Sequence, residues 1–426
     1  MYMLMLFAVL FTLMFLGVEI FLSMGIAAAV YLLVTGNAPL TLIATSMING
    51  MTNTSLLAIP FFILAGELMN ISGMTLRIVG FSRFFIGKWK GGLSYTCIVV
   101  NIIAAGVSGS APADCSAVSS VMLPVMKKEG YPKEFSAAIN ASAATIGPII
   151  PPSIPMVFIG LLTNLSIGRL FLGGVIPGLL MGGALMLICY LKVKKMKLGI
   201  YEQEHSFKIF WEVLKDSFLA LSAPLIIIIG VITGLVTITE VAILATAYVL
   251  ILGIFVYKTI AIKDILNIFK NSVLFSSSIM ALFSIAFIFS WFIAVEGIGK
   301  QMGLYIISMN MSPLTFLIFV ALLFILLGMI IDAIPAMLIF VPVLLPISKT
   351  LGIDPIHISV VIVTNLMIGL LTPPVGGLLY LESKLANVPV DKLIKELVPF
   401  ILALFAVVAL MTFIPSIVTF IPNLLF

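Results

Sequence analysis

Long apolar stretches, each closed by a short polar or glycine- and proline-rich interval, run the length of the chain. They fall at 2–16, 18–35, 56–70, 92–105, 112–126, 135–162, 170–191, 218–236, 240–257, 272–294, 313–331, 334–347, 356–386 and 397–424. The runs are continuous, as spanning helices require, and lack the short alternating strands of a membrane barrel. A full crossing takes about 20 residues. The stretches 92–105 and 112–126 are each too short for that, and GVSGSAPADCS at 106–116 joins them. Glycine, serine, proline and an aspartate between two half-length apolar arms predict a re-entrant hairpin. Irregular backbone at membrane depth survives only against protein or a watery cavity.

Two intervals place helix breakers inside apolar segments: IGPIIPPSIP at 146–155 and IGLLTPPVGG at 368–377. A proline within a helix removes a backbone N–H and costs about 3 kcal/mol. Ile146-Gly147 and Pro151-Pro152 recur as Ile368-Gly369 and Pro373-Pro374, 222 residues later. At the same spacing Gly106 meets Gly328, Pro124 meets Pro346 and Gly130 meets Gly352. Upstream, ISG at 71–73 pairs with VEG at 295–297 after a two-residue slip. A second hairpin is therefore expected at 313–347, with GMIIDAIPA at 328–336 as its tip, and a second broken helix at 356–386.

Composition fixes the class. Hydrophobic residues make up 62% of the 426 and charged residues 9%, against roughly 25% charged in soluble domains. The chain reads as an all-α polytopic membrane protein. Its first residues lack the basic region and cleavage site of a signal peptide, and read as membrane-embedded. Charge placement orients the segments. Arg77, Arg83, Lys88 and Lys90 precede the first hairpin, and Lys127, Lys128 and Lys133 follow it. A hairpin that enters and leaves on one side puts both clusters on that side, which the positive-inside rule makes cytoplasmic. Residues 135–162 then cross outward and 170–191 return to KVKKMK at 192–197, with Arg169 the one outward exception. After an amphipathic interfacial stretch at 205–216 and three more crossings, the second copy begins on the opposite side from the first. The repeat is inverted, and the C-terminus is expected to be periplasmic.

Inverted repeats with interrupted helices are the build of secondary transporters, which bind substrate and coupling ions at the breaks. Freed carbonyls and nearby hydroxyls suit a hard cation, and half-helix C-termini add partial negative charge. One site is expected around Gly106, Ser108, Gly147, Ile150 and Ser153, the other around Gly328, Gly369, Thr372 and Val375. His205 and His357 lie in neither a hairpin nor a break, so sodium and not a proton is the expected coupling ion. Intramembrane acids and hairpin-tip hydroxyls are functional candidates, which makes Ser110, Asp114 and Asp332 the expected substrate contacts. Glu19, Glu67 and Glu240 fall outside the repeats and read as scaffold contacts or anchors for a partner subunit. Arg169 is the last arginine in the chain. An organic anion between the hairpins is thus expected to meet half-helix N-termini and hydroxyls. Cys97, Cys115 and Cys189 form no CxxC pair and read as packing residues. No nucleophile–base set or metal cluster points to an enzyme. GVIPGLLMGG at 174–183 offers small residues four apart, a spacing for close helix packing.

The two hairpin sequences GVSGSAPADCSAVSSVMLP and DAIPAMLIFVPVLLPI, with IGPIIPPS and LLTPPVG, resemble the large membrane subunit of TRAP transporters, the DctM-like proteins. The resemblance covers nearly the whole chain. It implies an elevator-type, sodium-coupled importer of a small organic acid, such as sialic acid or a C4-dicarboxylate, in the bacterial inner membrane. The implied partners are a small four-helix membrane subunit and a soluble periplasmic substrate-binding protein. Because the chain starts directly with large-subunit sequence, the small subunit is expected to come from elsewhere. Residues 71–168 and 295–390 would form the moving transport domain, and 1–70, 169–294 and 391–426 the scaffold. A stand-alone sodium/dicarboxylate symporter shares the hairpin-and-TPP build and is the alternative; it would transport without a binding protein.

Overall fold

The computed structural model describes residues 2–196, 198, 206–297, 301–302, 308 and 311–426, whose regular structure is helical throughout. The first helices are α1 (Tyr2–Phe15), α2 (Ile20–Thr35), α3 (Thr41–Met51), α4 (Ala58–Ile71) and α5 (Met74–Ile86). The arms α6 (Gly92–Ser108) and α7 (Ala111–Lys128) form the first hairpin, and α8 (Lys133–Ala144) and α9 (Ile154–Thr163) flank the first proline-rich break. Then come α10 (Ile167–Lys195), α11 (Phe207–Thr233), α12 (Ile238–Ile251) and α13 (Ile262–Val295). The second set is α14 (Pro313–Ile330), α15 (Ala333–Thr350), α16 (Pro355–Gly369) and α17 (Gly377–Ala386), followed by α18 (Val390–Phe413) and α19 (Ser416–Leu425). Among the described residues, eight helices are long and apolar enough to cross a membrane.

The 222-residue spacing carries into the helix bounds. α7 and α15 begin at 111 and 333 and end at 128 and 350, while α8 and α16 begin at 133 and 355. Gly130 and Gly352, each after its hairpin, take φ of +79° and +71°, a left-handed turn that glycine adopts without steric cost.

Several elements differ from the sequence expectation. The stretch 205–216 is not a separate interfacial segment, since 207–233 is one helix. No glycine or proline interrupts it before Pro224, and Ser217 Oγ donates back to Val213 O at 2.6 Å without breaking the turn. His205 lies outside the described residues. The C-terminal stretch 397–424 is two helices, because Pro415 has no N–H for the carbonyl of Met411. That carbonyl is instead held by His357 Nε2 at 2.8 Å, which accounts for a buried histidine outside the breaks. α3 and α5 have no counterpart among the apolar runs. Thr41, Thr45, Ser46 and Asn49 in one, and Arg77, Ser82 and Arg83 in the other, interrupt the hydrophobic pattern.

Ion pairs gather the basic clusters onto one face. Arg77 meets Asp216 at 3.2 Å, Arg83 meets Glu129, and Lys192 meets Glu396. Lys90 Nζ donates to Lys194 O at 3.3 Å. The ends of α5, α7, α10 and α18 therefore lie together, as the charge count requires. At the other end of α10, Arg169 donates to Asn423 Oδ1 of α19 at 2.8 Å.

α10 seats the first break. A Cβ on Gly174 would fall 1.9 Å from Ile149 O, on Gly178 2.4 Å from Ile150 Cγ1, and on Gly182 2.6 Å from Ile102 Cδ1. Glycines four apart thus form a groove that takes the backbone of the broken segment at Gly174, the Ile150 side chain at Gly178 and Ile102 of α6 at Gly182.

Candidate functional site

The first hairpin ends at Ser108, and Gly109 turns it with φ +61°. A side chain at 109 would strike Pro152 O at 2.5 Å, so the tip lies directly on the broken segment. Ile154 N–H, at the start of α9, donates to Gly109 O at 3.4 Å. Behind the tip, Ser108 Oγ donates to Asp114 Oδ1 at 2.5 Å. Asp114 Oδ2 is buried with no hydrogen-bond donor among the described residues. It presses on Gly147, where a Cβ would come within 2.3 Å. An unpartnered buried carboxylate oxygen is costly, and a cation is the partner that fits an oxygen beside the C-terminal end of a half-helix. Ser108, Asp114 and Gly147 are thus brought together.

The other members of that expected site have local tasks. Ser153 Oγ accepts from Met156 N–H at 3.2 Å, capping α9, and donates to Pro148 O. Ile150 packs into the α10 groove. Gly106 faces α11, where a Cβ would meet Pro224 Cβ at 2.6 Å.

At the second break α14 and α16 touch backbone to backbone. A Cβ on Gly369 would fall 2.7 Å from Gly328 Cα, and one on Gly328 2.7 Å from Leu366 O. Val375 and Gly376 N–H both donate to Met329 O, at 3.1 and 3.2 Å. Thr372 Oγ1 donates to Ile368 O at 2.9 Å, which leaves the hydroxyl's lone pairs able to accept or to ligate. Gly328, Gly369, Thr372 and Val375 therefore form one cluster. Asp332 is the N-cap residue of α15 yet makes no side-chain cap bond. Its Oδ1 lies 3.8 Å from where a Cβ on Gly377 would be, beside the start of α17.

Both tips and both breaks open on one cavity of about 760 Å³. Ser110 and Asp332 line it from the tips, Pro148, Ile154, Met367 and Leu370 from the breaks, and Glu19 and Ser278 from α2 and α13. Asp114 does not line it, being set behind the first tip. Glu19 does, although it falls outside the repeats. Glu67 accepts from Ser272 Oγ at 2.9 Å, tying α4 to α13, and Glu240 closes a capping box with Thr237.

Sequence reasoning missed Glu382. Its fully buried carboxylate on α17 accepts from Cys115 Sγ at 2.8 Å, Ser119 Oγ at 2.7 Å and Asn140 Nδ2 at 3.1 Å. One acid thus ties the second broken helix to α7 and α8 of the first set. A carboxylate inside the apolar segment 356–386 was the signal available. Cys97 and Cys189, like Cys115, are buried and unpaired in disulfides.

The family model described as "Tripartite ATP-independent periplasmic transporter, DctM component" matches residues 7–417. The chain is 35% identical over 415 residues to the sialic acid TRAP transporter large permease protein SiaM of Vibrio cholerae, covering 97% of this chain and 96% of that one. It is 31% identical over 436 residues to the C4-dicarboxylate TRAP transporter large permease protein DctM of Rhodobacter capsulatus, covering 99% of each. The 2,3-diketo-L-gulonate TRAP transporter large permease protein YiaN of Escherichia coli is 34% identical over 377 residues, 88% of each. Among solved structures, the YdaH transporter of Alcanivorax borkumensis superposes with a TM-score of 0.62 at 15% identity, covering 88% of each chain. That likeness is one of fold alone.

Proposed function

Because the chain belongs to the DctM component family of tripartite ATP-independent periplasmic transporters, we propose that it is the large subunit of a sodium-coupled importer of a small organic acid in the bacterial inner membrane. The observation that carries this reading is the convergence of both hairpin tips and both proline breaks on one cavity. Substrate sits in that cavity. One sodium ion sits at Ser108, Asp114 and Gly147 and a second at Gly328, Gly369 and Thr372, with Val375 and Met329 shaping the break. The unpartnered Asp114 oxygen supports placing that acid on an ion and not on substrate. The hairpins and broken helices move together as an elevator, and the glycine groove supports grouping α10 with them instead of with the scaffold. A small four-helix membrane subunit and a periplasmic binding protein complete the system. The ion-paired face is cytoplasmic and the C-terminus periplasmic, a reading supported by the Arg169–Asn423 contact at the opposite end of α10 from the basic cluster.

Uptake into proteoliposomes holding this protein and its small subunit, supplied with binding protein, should follow an inward sodium gradient and survive a proton uncoupler. Unchanged uptake with potassium in place of sodium would remove the coupling. Unchanged uptake without the binding protein would restore the stand-alone symporter, which family membership does not favour.

Thr372→Val keeps the shape of the second break and removes one oxygen. The half-saturating sodium concentration for uptake should rise about tenfold, the equivalent of roughly 1.4 kcal/mol, with assembly intact. A variant with wild-type sodium dependence would make Thr372 a packing residue.

A further inference from the structure

Within the reading that a sodium ion sits at each break, the two sites lie on different repeats and share no ligand. Glu382 joins those repeats. Among the described residues, every side-chain hydrogen bond between 92–163 and 313–386 ends on its carboxylate. Ser119 Oγ reaches both oxygens, at 2.8 and 2.7 Å, while Cys115 Sγ and Asn140 Nδ2 donate to Oε2.

These donors lead back to the first ion site. Cys115 directly follows Asp114 on α7. Asn140 lies on α8, which runs into the turns at Gly147, and its amide also donates to Cys115 O at 2.9 Å. Glu382 itself stands on α17, which starts at Gly377 directly behind the second break. Leu378 and Leu379 N–H donate back to Leu370 O at 3.1 and 3.3 Å, so the start of that helix is tied to the break.

A carboxylate only accepts hydrogen bonds, and this one is fully buried. Drawing α7 or α8 away from α17 strips it of a donor where solvent does not reach, which is costly. The three helices therefore shift together. An ion that draws Asp114 onto the turn at Gly147 moves α7 against α8, and through Glu382 it moves the start of α17.

We propose that Glu382 is a positioning residue through which an ion at Asp114 strengthens the second break's hold on its own ion. The second break offers only neutral oxygens, so affinity lent by the neighbouring site suits its ligand set.

The test is sodium binding to the full-length protein with its small subunit in lipid nanodiscs, read without transport. As sodium replaces potassium, hydrogen–deuterium exchange of 144–150 reports the first break and that of 368–377 the second. Asp114→Asn should raise the sodium midpoint at 368–377 about tenfold, an ordinary size for coupled sites. Glu382→Gln should raise that midpoint about tenfold as well, while the midpoint at 144–150 stays within twofold of wild type. The double variant should show no further rise, since both changes cut one coupling. Ser119→Ala removes the hydroxyl that reaches both oxygens, and carries the test if Glu382→Gln does not fold. It should raise the midpoint at 368–377 in the wild-type background and not in Asp114→Asn. Rises that multiply, an unmoved second midpoint, or equal rises at both breaks (the mark of a merely structural role) would each overturn the proposal. Failure of the ion reading looks different: in wild type, sodium would protect neither break. Protection of both breaks with independent midpoints sustains that reading and removes the coupling alone.

Discussion

Asp332→Asn should leave the protein folded and lower uptake on the order of 100-fold, the loss of a charge-assisted contact made during transport. Asparagine caps a helix about as well as aspartate, and here the aspartate makes no cap bond at all. Its exposed carboxylate instead faces the cavity beside Gly377. A charge at membrane depth is costly without water, ions or donors, and a site open to each side in turn supplies them. The measurement is initial uptake rate together with yield of the complex with the small subunit. Wild-type uptake and sodium affinity in the variant would exclude the site role, and loss of the folded complex would show the residue to be structural.

The second expected result is a contrast within one helix. Gly174→Ala should destabilise the protein by about 3 kcal/mol or more, whereas Gly183→Ala should stabilise it by roughly 0.5–1 kcal/mol through helix propensity. At 174 the new Cβ would lie 1.9 Å from the Ile149 carbonyl oxygen, a backbone atom that cannot swing aside, and at 183 nothing lies within 4 Å. Thermal unfolding of the two variants in detergent checks the pair. Equal stability would mean that α10 does not bear on the first break as described.

What the sequence disclosed was local. Proline and glycine act on their own turn, so IGPIIPPS and LLTPPVG located both breaks. The 222-residue offset carried over to the bounds of α7 and α15 because those helices start and stop at similar residues. Contacts between distant segments were less legible. The groove residues Gly174 and Gly182 were visible as spacing, but not that their neighbours would be Ile149 and Ile102. Glu382 stands in an apolar segment, but its partners Cys115, Ser119 and Asn140 lie 267, 263 and 242 residues away, beyond the reach of any local pattern. Glu19 gave no sign of reaching the cavity, since it precedes the repeats and arrives there only through the packing of α2. The split at Pro415 was legible in principle. The partner His357, 54 residues away, was not.

The acids of the repeat are all unpaired across the duplication. At the 222-residue spacing Asp114 faces Ala336, Asp332 faces Ser110 and Glu382 faces Gly160. The chain is therefore symmetric in backbone and asymmetric in charge. In a carrier that loads an ion at each break, the first break has a buried anion as ligand. The second, at Gly328, Gly369 and Thr372, has only neutral oxygens, with Asp332 outside it on the cavity. Unequal wells fill in order, so with sodium at both breaks the Asp114 site would load first, at ion concentrations that leave its twin empty. On the proposed sodium sites, the occupancy that tracks sodium outside the cell would be that of the shallower one.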